Sequence, residues 1–177
     1  STYQFLVGLG TLTNPWGGNE LSLQSLQLYL RDPDASGGST EARPGVNATF
    51  AAPYQRRVFV EGFVPPGVER ADGTEHSRDV AVTGYESVNA VKIEVPKSVL
   101  GDLAGTELVP LVLGQDGYAE GRVRPVGAEN GSYRFGGGTD GDANPNVIDL
   151  VTPEGVSGAE ALGYSADERA TIPYLSL

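Results

Sequence analysis

Short apolar runs, cut again and again by glycine and proline, constrain this chain more than any other feature. Twenty-five glycines and twelve prolines are spread over 177 residues, so no stretch keeps a helical period long enough to cover a sheet. The strand period recurs instead. Leu26, Leu28 and Leu30 alternate with polar or aromatic neighbours, and Val91, Ile93 and Val95 alternate with Lys92 and Glu94, which is how a half-buried strand reads. A helix over residues 20–30 is the alternative for the first of these, since Leu and Gln are good helix formers. Residues 3–9 read as a central strand and 79–83 and 147–151 as further strands. Residues 56–64 read as a strand stopped by Pro65-Pro66. In the run 107–114, Pro110 predicts an edge position, a strand start or a bulge. Helix is confined to a turn or two after Pro96 and another capped by Ser157 and ended by Gly163. The expected fold is all-β: one jelly-roll-like β-sandwich domain over 1–177.

Charge narrows the partners. Twenty-three acids face twelve bases, for a net charge of −11. Such a surface repels nucleic acid and anionic lipid and shows no phosphate-backbone footprint. No apolar run approaches the ~18 residues of a membrane span, and no signal peptide opens the chain. Cysteine is absent, which removes disulfides, thiolate nucleophiles and cysteine-based zinc sites. Methionine is absent too, even at position 1, which reads as a processed piece of a longer product. Sequons at Asn47-Ala-Thr49 and Asn130-Gly-Ser132 are candidate glycosylation sites in surface loops.

Chemistry-bearing motifs are sparse. Asp140, Asp142 and Asn144 occupy alternate positions of a glycine-rich loop. Their oxygens can converge on a structural Ca²⁺, or can hydrogen-bond their own backbone. No phosphate loop, dinucleotide fingerprint or zinc pair occurs. His76, the single histidine, reads as an exposed loop residue, and carboxylate pairs such as Asp116 and Glu120 are weak evidence for catalysis in a chain with 23 acids. No nucleophile elbow supports a hydrolase. The long excursions 31–55 and 114–146 are the natural places for ligand contacts. Tyr54, Tyr118, Tyr133 and Phe135 fall in or beside them, and Trp16 sits on a glycine-rich turn. Trp16 reads as a plug sealing one end of the sandwich, or else as a stacking platform for a sugar.

Several strings, in order, resemble one family: Leu12-Thr-Asn-Pro-Trp-Gly17, Ser22-Leu-Gln-Ser-Leu-Gln-Leu-Tyr29, Gly114-Gln-Asp-Gly-Tyr118, Arg122-Val-Arg-Pro-Val126, Phe135-Gly-Gly-Gly and Asn146-Val-Ile-Asp-Leu-Val-Thr-Pro-Glu-Gly155. Together they resemble the C-terminal module of glucodextranases, also found in amylopullulanases. The resemblance implies a β-sandwich related to family 9 carbohydrate-binding modules and DOMON-like domains. It implies an extracellular or cell-surface, non-catalytic role in holding a polysaccharide or cell-envelope glycan. It also implies calcium in some relatives, with Asp116 and Asp149 as the matching positions. Family members carry strands before the Phe-Leu-Val strand, so a missing N-terminal segment or a second chain is expected to pair along residues 3–9. The expectation is therefore a secreted module associated with α-glucan processing. Its binding residues would be Trp16, Tyr54, Tyr118, Tyr133 and Phe135, and its metal ligands Asp116, Asp140, Asp142, Asn144 and Asp149. The alternative is a structural domain of an extracellular surface or pilus-like assembly.

Overall fold

A computed structural model describes residues 1–12, 14 and 16–177. Part of the turn expected at Asn14-Pro15 lies outside the described residues. The backbone of the fold is one wide sheet. Its strands are β10 (Glu107–Gly114), β2 (Gln24–Arg31), β5 (Arg56–Glu61), β6 (Val64–Arg70) and β7 (Glu75–Ser77), in that order. Two short strands, β11 (Asp149–Leu150) and β13 (Leu175–Ser176), share the other edge of β10. The sheet is antiparallel, with Leu28 opposite Val58 on one side and Pro110 on the other.

Both faces of this sheet are covered, because its strands are apolar on both sides. Leu26, Leu28, Leu30, Val58 and Val60 point to one core, together with Val91, Ile93 and Val95. Those last three come from a second sheet of β1 (Thr2–Gly8), β9 (Ala90–Pro96) and β8 (Ala81–Tyr85). The alternate residues Tyr29, Val109, Leu111 and Leu113 join a separate core with Phe50, Tyr54 and Ile172. That core faces a third sheet of β12 (Thr171–Ile172), β4 (Thr49–Tyr54) and β3 (Ser39–Glu41). The expected β-sandwich is present, with a third layer laid over its back. Leu26, Gln27, Leu28 and Tyr29 are all nearly inaccessible, as a strand buried on both faces requires.

Several local expectations are met and several corrected. Gln24–Arg31 form a strand, and no helix covers residues 20–30. The turn after Pro96 is α1 (Lys97–Leu100), and Ser157 and Glu160 close a full capping box on α2 (Gly158–Ala161). The run 56–64 is not one strand but a hairpin, β5 and β6 joined at Gly62-Phe63, with Pro65 and Pro66 inside β6. Pro110 lies inside a central strand. The carbonyl of Val112 reaches Ile148 on the side away from β2, so the nitrogen of Pro110, two residues back, faces that side too. There β13 pairs with residues 107–108 and β11 with 111–112. The missing N–H of Pro110 falls in the gap between them and breaks no ladder bond. The run 3–9 is an edge strand, not a central one. Tyr3, Phe5 and Val7 pack inward while Gln4, Leu6 and Gly8 stay exposed. The side of β1 away from β9 pairs with no strand among the described residues, so an additional segment has an open edge to join.

Candidate functional site

The ends of three loops meet at the Gln24 end of β2. The first carries Trp16. Its backbone N–H donates to Ser22 Oγ at 3.3 Å, and Ser22 Oγ lies 2.9 Å from the carbonyl of Gly17. The turn is clamped to the β5–β6 hairpin by Asn19. The N–H of Asn19 donates to the carbonyl of Gly62 at 2.7 Å, and its side-chain amide donates to the carbonyls of Glu61 and Val64. Gly18, at φ +101°, would put a Cβ 2.1 Å from the carbonyl oxygen of Gly62, so only glycine allows this approach. The clamp sets Trp16 beside Phe63 at the hairpin tip.

The second loop follows β10. Asp116 accepts a bond from the N–H of Tyr118 at 3.0 Å, an Asx turn. The N–H of Asp116 donates to the carbonyl of Arg122 at 3.0 Å, which closes the loop as a small hairpin. Its return passes Pro44 so closely that a Cβ on Gly121 would lie 1.7 Å from the carbonyl oxygen of Pro44. The third loop places Tyr133 in a tight turn, with the N–H of Gly131 donating to the carbonyl of Arg134 at 3.0 Å.

Together these loops surround an open cleft of about 450 Å³ lined by Trp16, Phe63, Tyr118, Tyr133, Asp116 and Arg122, among others. Trp16 is 67 % exposed and Tyr118 fully exposed, and Phe63 and Tyr133 are exposed as well. Four large rings in water around one hollow are unusual on a folded domain, which buries such residues unless a partner covers them. Gln115 and Arg124 lie among the lining residues, and Gln115 Oε1 and Arg124 Nε are buried without a protein partner.

The structure sorts the residues named from the sequence. Trp16, Tyr118 and Tyr133 come together at the cleft. Trp16 is not a plug, because its ring is in solvent. Tyr54 is 1 % exposed and packs edge-on against Tyr29 and Phe50, so it presents no face to a ligand. Phe135 is half-buried against Gly114, with the Arg124 guanidinium 5.6 Å from its ring centre, and it backs the cleft rather than lining it. Phe63 was missed because Phe-Val reads as the end of a strand. The signal was a large apolar residue after glycine, between two runs of strand period. His76 is half-buried in β7, with Nε2 3.0 Å from the carbonyl of Val99, rather than in an exposed loop.

Four of the five residues named for a cation bond other groups of the protein through their side chains. Asp140 accepts bonds from Arg134 at 3.0 Å and from the N–H of Ala128 at 3.1 Å. Buried Asn144 accepts from the N–H of Thr139 and donates to the carbonyl of Val126. Asp116 and Asp149 bond neighbouring backbone N–H groups in separate loops. Among the described residues, no three Asp, Glu or His side chains are grouped to hold a metal ion. Asp140, Asp142 and Asn144 line one hollow together, whereas Asp116 and Asp149 lie in other loops. Exhaustive dialysis against chelator tests that hollow: an unchanged melting temperature means that it holds no ion, and a clear drop means that it does. Asn47 also serves the loop: its Nδ2 donates to the carbonyls of Asp142 and Asn144, each at 2.8 Å. Both amide hydrogens are thereby used, whereas Asn130 of the other sequon is exposed, with its Oδ1 accepting the N–H of Gly136 at 2.6 Å.

A sequence model of the SLH-like C-terminal binding module of glucodextranase matches residues 1–174. The chain belongs to that family. No protein of curated function matches it. The glucodextranase-type module is thus all-β, with an aromatic cleft built from three loops at one end of its central sheet. Among the described residues, no helix is long and apolar enough to cross a membrane. The family that the chain belongs to is one of binding modules. Of the acid pair, Glu120 is exposed and Asp116 accepts the backbone N–H of Tyr118.

Proposed function

We infer that this module binds a glycan, extracellularly or at a cell surface, by stacking sugar rings in the cleft of Trp16, Phe63, Tyr118 and Tyr133. The observation that carries this reading is the exposure of four aromatic rings around one hollow. A sugar ring has an apolar C–H face that stacks on an aromatic ring, while its hydroxyls both donate and accept. Below the rings, Gln115 Oε1 offers an unsatisfied acceptor and Arg124 Nε an unsatisfied donor. A modest rotation of these side chains would let one hydroxyl meet each need. The family supports the same reading, because its members are binding modules of an α-glucan-degrading enzyme.

The test is affinity electrophoresis against starch, dextran and a cell-envelope polysaccharide. At least one is expected to retard the protein. Trp16→Ala should then weaken binding by about tenfold or more, on the order of 1.4 kcal/mol for a central aromatic contact. Its melting temperature should stay at the parent value, since the ring is already in water. A Trp16→Ala variant that binds as well as the parent would overturn the site. The open edge of β1, with Leu6 71 % exposed, favours a second reading. In it the domain is a structural part of an extracellular assembly, and a neighbouring segment adds a strand along residues 2–8. Failure of every glycan to retard the protein would leave that reading standing.

A further inference from the structure

Beside the aromatic cleft, and sharing Gly117 and Arg122 with it, lies a second hollow of about 360 Å³. Its charged lining is Arg43, Arg57 and Arg122 against Glu61 and Glu69. In a chain of net charge −11, this is a place where bases outnumber acids. The two carboxylates are already engaged. Glu69 lies 2.8 Å from Arg57 and 3.4 Å from Arg43, and Glu61 lies 3.3 Å from Arg122. Each guanidinium carries five N–H donors, so two carboxylates cannot satisfy three of them. The Nε of Arg57 is buried with no hydrogen-bond acceptor, and the buried Nε of Arg43 has Glu69 Oε2 at 3.4 Å but makes no hydrogen bond to it.

The donors are also held in place. The side chain of Arg57 is 5 % exposed, and its guanidinium lies 4.6 Å from the ring centre of Phe59. Arg43 lies across Gly73, where a Cβ would come 2.6 Å from its Nη1. One wall is the contact of Gly121 with Pro44. A fixed, positive, donor-rich hollow does not suit a neutral sugar hydroxyl, which adds a donor to a site already short of acceptors. It suits an acceptor-only group.

We propose that this hollow takes the carboxylate of an acidic sugar, a uronic acid, in a glycan whose neighbouring ring stacks in the aromatic cleft. The planar guanidinium fork matches the planar carboxylate in a bidentate pair. A single excess positive charge suits a monoanion, whereas a phosphate monoester would crowd Glu61 and Glu69 with a second negative charge. Arg122, half-exposed and common to both hollows, sits where the two parts of such a ligand would join. This proposal rests on the glycan-binding reading and names its substrate class.

The test is isothermal titration of the intact chain with maltoheptaose, an oligogalacturonate of similar length, and a sulfated dextran oligosaccharide. Roughly 0.15 M salt limits long-range repulsion from the acidic surface to about 8 Å. Oligogalacturonate is expected to bind at least tenfold more tightly than maltoheptaose. Arg43→Gln should remove that advantage while leaving maltoheptaose binding unchanged, because Arg43 lines only the charged hollow. Arg43→Lys, which keeps the charge but loses the fork, should restore only part of it. A melting curve near the parent's shows that each variant folds. Equal binding of the neutral and uronate sugars overturns the proposal and leaves the aromatic cleft intact. A uronate advantage that survives Arg43→Gln overturns it as well. Tighter binding of the sulfated sugar rejects the carboxylate. Loss of all three ligands defeats the glycan reading itself.

Discussion

Replacing Tyr29 with alanine is expected to lower stability by about 3–5 kcal/mol, the usual cost of deleting a large buried aromatic. For a chain of this size that corresponds to a fall of roughly 10 °C in melting temperature. Tyr29 has no accessible surface. Its ring centre lies 4.5 Å from that of Phe50 and 4.8 Å from that of Tyr54, so it is the hub of the core between the central and third sheets. Its hydroxyl donates to Gln27 Oε1, itself buried, and accepts the N–H of Arg43 at 3.2 Å. Tyr29→Phe keeps the ring but strands the Gln27 acceptor, at a cost of about 1–3 kcal/mol. The two variants separate packing from hydrogen bonding. Tyr29→Ala melting within a degree or two of the parent would show that the third layer contributes little to the fold.

Alkaline pH should unfold the domain through the same cluster. Burial pushes the Tyr29 phenol well above its ordinary range, against the opposing pull of Arg57 and Arg43. Burial also raises Tyr54, against Arg43 and Arg57, and Tyr174, against Arg31. In the unfolded chain these phenols ionise near pH 10. Below that pH both states hold the protons, and the contribution is fully present. Above it the unfolded chain releases protons that the folded chain keeps, so stability falls as pH rises. Tyr29 alone contributes a slope of about 1.4 kcal/mol per pH unit, and Tyr54 and Tyr174 add in the same direction. Melting temperature followed from about pH 8 to pH 12, with phenolate absorbance recorded alongside, is expected to stay level and then drop steeply. A level curve across the whole range, with the buried phenols titrating in the folded protein, would show that they are not shielded.

The strands were legible where one residue type repeated at a two-residue spacing. Leu26, Leu28 and Leu30, and Val91, Ile93 and Val95, lie on buried faces as their alternation requires. The cap at Ser157 was legible for a similar reason, being local in sequence, though the Glu160 half of its box was not read. Misreadings arose where the deciding partner is remote. Residues 3–9 look central because they are apolar, but only one face of β1 is covered and, among the described residues, only one of its edges is paired, by β9. Pro110 argues for an edge until β11 and β13 are seen to leave a gap beside it. Tyr54 and Trp16 exchanged roles. Tyr54 lies in a long excursion that turned out to supply β3 and β4, and so went into the core. Trp16 was lifted out by a turn clamped to a hairpin more than forty residues away.

The residues alone determined the fold class, because glycine and proline spacing excludes long helices and alternation demands strands with a buried face. They also determined the family, since the resemblance runs through strings spread along nearly the whole chain. The ligand-facing surface was decided only by tertiary structure. Trp16, Phe63, Tyr118 and Tyr133 share no sequence period, and neither do Arg43, Arg57 and Arg122. Each sits in its own loop or strand, and only the folded sheets bring them to two adjoining hollows. A periodic pattern records which side of an element is buried, whereas a site assembled from separate elements depends on distances that exist only once the sheets have closed.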